Sequence, residues 1–202
     1  MNVKIGYTLQ LTAGIWWDDR LIMNNYNVTF KMLTVSTDHE NQNIALDRLR
    51  YMADQCLTDT VFVYQEHTEQ IERLRAAGVS VTVLPEEPVD QIIGMMLFAK
   101  MNAIMEDQIL VKAVLISSTV GDDVIYEHND TEDASPFDAE GWWLDPEPTH
   151  DAQINEIDSE SVFVIPIGKL WREVGLEWNT VAADVTAENI LVFAEFKNDK
   201  DK

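Results

Sequence analysis

The chain reads as an α/β protein: a mixed, largely parallel sheet with crossover helices and antiparallel edge strands, plus a long acidic excursion. Strand and helix signals alternate from Asn27 to Ser118, the order that βαβ crossovers produce. The run LPEEPVDQIIGMMLFAKMNAIMEDQILVKAVLISS, Leu84 to Ser118, couples the most apolar helical segment to a strong strand signal. Asn129 to Glu160, by contrast, is polar, acidic and without period. The expected organisation is one α/β domain over residues 1–202, with 129–160 as an acidic loop excursion within it.

Taken in order, Val3 to Thr12 alternates as a strand does and is expected at an antiparallel edge. Gly14, Asp18 and Asp19 then suggest a turn region before a second strand, Asn27 to Ser36. Thr37-Asp38-His39-Glu40 has the form of a capping box, so a helix should start at Thr37 and bury Ala45, Leu49, Met52 and Cys56. A short strand at Thr60 to Tyr64, a helix from Glu66 to Ala77 capped by Gly78, and a strand from Val79 to Leu84 follow.

Pro88 suits a first helical turn, and Glu86 and Glu87 suit the positive end of the helix dipole, so the next helix should begin near Val89. At 100° per residue Ile92, Ile93, Met96, Leu97, Ala99, Ala103 and Ile104 share a broad face, opposite Asp90, Gln91, Gly94, Asn102 and Glu106. Phe98 and the methionines leave little of the surface polar, which predicts a helix covered on most sides. Lys100 falls at the middle of the apolar face. It must pair with a carboxylate, snorkel or lose its proton, and pairing is the expectation in so acidic a chain.

Gly121-Asp122-Asp123 reads as a hairpin turn into Val124 to His128. Beyond the excursion, Ser161 to Ile167 and Ile190 to Phe196 read as strands, and Lys169 to Trp178 as a short helix presenting Leu170, Trp171 and Val174. Phe137, Trp142 and Trp143 predict that the middle of the excursion docks on the protein.

Composition bounds the function. A hydrophobic content of 46%, with six Trp and seven Phe, supports a substantial core. The single cysteine, Cys56, excludes an internal disulfide and reads as a buried thiol, which fits a reducing cytoplasm. MNVKIGYTLQL does not have the form of a secretory signal, and no run is long and apolar enough for a membrane span. The net charge is −22. No Lys or Arg lies between Lys112 and Lys169, where fourteen Asp and Glu fall, so the acidity is mainly regional. That field opposes direct nucleic-acid binding and suits basic protein surfaces or divalent cations.

Ligands of open parallel sheets collect beyond the carboxyl ends of the strands. Asp38, His39, Glu66, His67, Glu86 and Glu87 are expected there, followed by Ser117, Ser118, Asp122 and Asp123. Their oxygen and imidazole groups could hold a divalent metal ion that activates water, although the same residue types also cap helices and turns. A second acidic group, Glu127-His128-Asn129-Asp130 with His150-Asp151, could take a hard cation if the excursion folds back. Trp16-Trp17 and Trp142-Trp143 each stand between a Gly and an Asp, either as loop anchors or as a partner-binding surface. P-loop, dinucleotide-binding and nucleophile-elbow motifs are all missing.

The run PEEPVDQIIGMMLFAKMNAIMED, then GDDVIYEHND and GWWLDPEP, resembles uncharacterised proteins of T4-like phages of marine bacteria. The resemblance implies expression in a host cytoplasm and a role in host takeover, and it carries over no site residue. Two functional expectations result: a non-catalytic acidic protein that binds or regulates a basic partner, or a metal-dependent hydrolase or phosphoesterase using the strand-end carboxylates.

Overall fold

In the computed structural model, residues 3–150, 152–156, 162–166 and 169–179 are described. The architecture is α/β. Six strands form one sheet: β1 (Lys4–Trp17), β2 (Arg20–Thr34), β3 (Val61–Tyr64), β4 (Val81–Leu84), β5 (Ile109–Ser118) and β6 (Tyr126–Asn129), in the order β4-β3-β1-β2-β5-β6. The sheet is mixed. β1 pairs parallel with β3 and β3 with β4, while β1–β2, β2–β5 and β5–β6 are antiparallel.

β1 and β2 are a single long hairpin, with Lys4 opposite Leu33 and Trp17 opposite Arg20. Its two-residue turn is Asp18-Asp19, both at positive φ, as the tight hairpin turn requires. The strands therefore run through positions expected to be turn, and Gly14 lies within β1. A Cβ at Gly14 would come within 2.9 Å of Leu21 Cδ1 and 3.1 Å of Val61 Cγ2, so the glycine allows close approach of neighbouring side chains. β1 is antiparallel to β2 as expected, but it is not an edge strand, because β3 pairs on its other side.

Helix α1 (His39–Tyr51) starts two residues later than the expected Thr37. Asp38 is the N-cap, accepting from Glu40 N at 3.0 Å and Asn41 N at 3.2 Å. A π-helical turn, Met52–Leu57, carries the buried Cys56. Helix α2 (Thr68–Ala76) ends at Gly78, whose φ of 76° is the left-handed conformation expected of a helix-ending glycine. Helix α3 (Asp90–Met105) lies in the main core with α1, against Leu11, Tyr26, Phe30 and Val114. A smaller cluster, with Val61, Val63, Ile71 and Val81, forms between β3, β4 and α2, with Trp16 packed on it.

α3 is covered more completely than its polar side suggested: Asp90 and Gly94 are buried as well. A Cβ at Gly94 would lie 2.9 Å from Ile116 Cγ2. Gly94→Ala should therefore cost about 1 kcal/mol net, as overpacking outweighs the better helix propensity. Urea unfolding measures it, and a stabilised variant would show that Ile116 yields freely.

The middle of the excursion does dock. Phe137 and Trp143 are buried with ring centroids 5.2 Å apart, and Trp142 and Trp143 open a short 3-10 turn. The excursion also contributes β7 (Ala152–Glu156), which pairs antiparallel with β8 (Val162–Pro166) in a separate two-stranded sheet. A short helix, α4 (Trp171–Val174), follows. The strand expected at Ile190 to Phe196 lies outside the described residues. No helix among the described residues is long and apolar enough to cross a membrane.

Candidate functional site

Buried polar groups gather where β2, β5 and the start of α3 meet. Asp90, the first residue of α3, is only 8% exposed. Its two carboxylate oxygens share one donor, the Ser118 hydroxyl, at 2.9 Å each. Burial is the larger influence on the Asp90 carboxyl and raises its pKa, while the Ser118 hydrogen bond opposes the shift. Asn24, on β2, is fully enclosed, and its side-chain oxygen accepts from Thr119 Oγ1 at 2.9 Å and Val120 N at 3.1 Å. These bonds fix the loop that leaves β5. The buried Tyr26 hydroxyl makes no hydrogen bond of normal geometry; it faces the Asn24 amide and the Asp90 charge, and desolvation pushes its pKa strongly upward.

Asn24 and Asp90 of this cluster line a cavity of about 260 Å³. Ile15, Trp17, Pro88, Val89 and Tyr126 supply apolar walls, and Asn24, Asp90 and Gln91 the polar ones. Gly121 closes over the carboxylate: a Cβ there would lie 2.6 Å from Asp90 Oδ2 and 3.2 Å from Ser118 Oγ. Only a residue without a side chain fits against that oxygen. Ser118 was legible as a strand-end residue, but Asp90 was not, because its helical angle placed it on the polar side.

The expected metal ligands do not converge. β2 runs antiparallel to β1, and β1 parallel to β3, so β2 ends at the opposite end of the sheet from β3 and β4. Asp38 and His39 therefore stand apart from Glu66, His67, Glu86 and Glu87, and Asp38 is occupied in capping α1. At the other end, His67 Nε2 lies 3.9 Å from Glu87 Oε1 and its ring meets Tyr64 edge-on. The Tyr64 hydroxyl pKa is raised, first by desolvation and then by Glu66, Glu86 and Glu87. Among the described residues no three His, Cys, Asp or Glu side chains gather in a group that could hold a metal ion.

The second acidic group is also dispersed. Glu127 pairs with Lys31 at 2.8 Å, Asp130 pairs with Lys112, and His128 Nδ1 lies 3.2 Å from Glu132. His150 instead meets Ser80 Oγ at 3.2 Å, next to β4, at the sheet edge opposite β6. Asp151 lies outside the described residues.

The tryptophans divide. Trp142 and Trp143 are anchors, their indole N–H groups donating to Val83 O at 2.9 Å and Ala139 O at 3.1 Å. Trp16 packs over the small cluster, and Trp17 is 40% exposed at the hairpin end.

Lys100 is fully buried. Its ammonium donates to the carbonyls of Trp142 at 3.0 Å, Asp145 at 2.8 Å and Glu147 at 2.7 Å, and to Thr149 Oγ1 at 3.3 Å. The expected carboxylate contact is thus replaced by a cage of main-chain oxygens. Burial lowers its pKa to about 7, against the opposing influence of Asp145, Cys56 and Glu147. Cys56 is buried as expected, and its thiol is pushed up to about 11 by desolvation. A thiol so held is no nucleophile at neutral pH.

No family model and no curated protein matches the chain. An uncharacterised protein from Wolinella succinogenes is similar with a TM-score of 0.49 and 10% identity, over 64% of this chain and 99% of that one. A catalytic-residue mutant of Plasmodium vivax 6-pyruvoyltetrahydropterin synthase is similar with a TM-score of 0.40 and 8% identity, also over 64% of this chain and 99% of that one. At these scores neither likeness carries over a function or a site.

Proposed function

We propose that this is a non-catalytic binding protein that docks a basic segment of another protein on the end of its sheet. One observation carries the reading. Trp17, Val120, Val124 and Ile125 are exposed around the hairpin turn and the loop after β5, Ile125 by as much as 66%, and the acidic residues of the same turns stand beside them. Trp17 and Val120 line one cavity, and Thr119 N donates to Asn25 O at 3.1 Å, so the hairpin and the loop form one surface. Asp18 is paired with Arg20, whereas Asp19, Asp122 and Asp123 have no ion-pair partner among the described residues.

An exposed apolar group flanked by uncompensated carboxylates suits an amphipathic, basic partner: apolar contact supplies affinity, and charge supplies steering and selectivity. Taken with the phage resemblance, the partner would be a basic host protein met in the cytoplasm.

The test uses an arginine-rich amphipathic peptide. Asp19, Asp122 and Asp123 all sit at positive φ, so replacement by Asn removes charge without changing what the backbone tolerates. The triple Asn variant should slow association by about tenfold at low salt. Trp17→Ala should weaken binding by about 2 kcal/mol, the loss typical of an aromatic anchor. Peptide binding unchanged in both variants would move the interface elsewhere.

A further inference from the structure

We propose that the open edge of β1 is occupied by the chain's own C-terminal run, residues 190–196, added to the sheet as a strand beside residues 4–10. β1 meets β3 only at Gly14 and Ile15, and ahead of that contact no strand among the described residues pairs on that side. The register fixes which backbone groups are left over. Thr34 N donates to Val3 O across the hairpin, so the odd-numbered residues of β1 bond to β2 and the even-numbered ones point away from it. Thr12 and Gly14 follow that alternation: Asp59 N donates outward to Thr12 O at 2.8 Å, and Gly14 N to Thr60 O at 2.7 Å. Gly6, Thr8 and Gln10 therefore turn their N–H and C=O groups to an edge where no described residue meets them.

The core is open on the same flank. Ile5, Tyr7 and Leu9 point to the helix side and are only half-buried, whereas Met32, Phe30 and Val28, directly across the hairpin from them, are at most 3% exposed. An added strand would cover those three side chains and pair the free backbone groups. The described chain ends beside this flank. α1 runs along it, with Arg50 Cζ 5.5 Å from the Tyr7 ring, and Asn179 is held on the first turn of α1, its N–H donating to Asn41 Oδ1 at 2.8 Å. Residues 180–202 follow. The ten residues 180–189 can span about 33 Å, more than the roughly 20 Å length of the open edge. The run after them, ILVFAEF, has seven residues, as does the open stretch 4–10, and is rich in β-branched and aromatic types that suit a strand. Both of its alternate rows are largely apolar, so either can face the flank. A second copy is the weaker occupant: two chains of net charge −22 repel, and a tethered segment meets the edge at a far higher effective concentration.

Amide hydrogen exchange and nuclear Overhauser contacts, both measured on isotopically labelled full-length protein, test the assignment. The Gly6, Thr8 and Gln10 amides should exchange about 100-fold or more slowly than in an unstructured chain, and should show backbone contacts to residues 190–196. An open edge leaves them unprotected. Val192→Pro and Phe193→Pro remove N–H groups that point to opposite sides of a strand, so one of the two deletes a bond to β1. That variant should restore fast exchange at Gly6, Thr8 and Gln10, while the Ile5, Tyr7 and Leu9 amides, which face β2, stay protected and report an intact hairpin. Should a proline unfold the hairpin as well, the contacts in the native protein decide. Fast exchange of the three amides in the native protein overturns the inference, and so does protection without contacts to residues 190–196 or protection that both proline variants leave intact. Protection that rises with protein concentration overturns it too, and assigns the edge to a second copy.

Discussion

Lys100→Met should destabilise the protein by about 3 kcal/mol and expose the chain between Trp142 and Thr149 to proteases. The ammonium is the shared donor for three carbonyls and a hydroxyl of that segment. Each buried acceptor left unpaired costs about 1–3 kcal/mol. Relief of the buried charge offsets part of that loss, which is why the expected total is smaller than the sum. Snorkelling is excluded by the complete burial of the side chain.

The same residue leaves a mark on pH dependence. An unfolded lysine titrates near 10.5, and Lys100 in the fold at about 7. Between these values the unfolded chain holds a proton that the native chain has released, so stability rises with pH from about 7, by at most ~1.4 kcal/mol per pH unit. Cys56 acts in the opposite sense. Its thiol moves from 9.0 to about 11, so above pH 9 the unfolded chain loses a proton that the native chain keeps, and stability falls. The gain should therefore be confined to roughly pH 7–9 and cancelled above it. Urea unfolding across that range is the measurement. A Lys100→Met variant that keeps both its stability and the rise between pH 7 and 9 would show that the cage does not hold the segment.

How much of this was legible depended on the range of the interactions involved. The alternation of elements, the cap at Gly78, the docking of Phe137 and the burial of Lys100 all follow from local pattern, because periodicity and backbone freedom are properties of neighbouring residues. Strand direction is not local. That β2 runs against β3 decides that Asp38 and His39 cannot meet Glu66 and Glu87, and nothing in either stretch records it. The continuation of β1 through Gly14 to Trp17 was hidden by a glycine that signals a turn in sequence but serves close packing in the sheet. Asp90 was hidden for a similar reason. Its helical angle placed it opposite the apolar stripe, but the loop after β5 covers that side and encloses it. The Lys100 cage lay beyond reach because its acceptors are backbone oxygens, which every residue possesses.

Arg48 carries the second large effect, and Arg48→Leu should cost about 3 kcal/mol and release residues 169–179 from the core. Its guanidinium is 2% exposed as a residue, and it donates to Leu176 O at 2.8 Å, Ile104 O at 3.1 Å and Glu106 Oε1 at 2.8 Å. Its Cζ also lies 3.6 Å from the Trp178 ring centroid and 4.8 Å from that of Trp171. One side chain thus ties α1, the end of α3 and the segment around α4 together. Glu106 is half exposed and recovers water when its partner is lost, so the ion pair contributes little of the effect. The larger part comes from the Ile104 carbonyl left buried, about 1–3 kcal/mol, and from the stacked indoles, about 1 kcal/mol, while the part-buried Leu176 carbonyl recovers water. Desolvation lowers the Arg48 pKa, yet a guanidinium stays charged at any pH where the protein is folded. The effect should accordingly be independent of pH between 6 and 9, unlike that of Lys100. Arg48→Lys separates geometry from charge: a lysine keeps the cation but cannot serve two carbonyls and two indole faces from one plane, so it should recover less than half of the loss. Full recovery by lysine, with Trp178 fluorescence unchanged from the native protein, would mean that charge alone holds the segment.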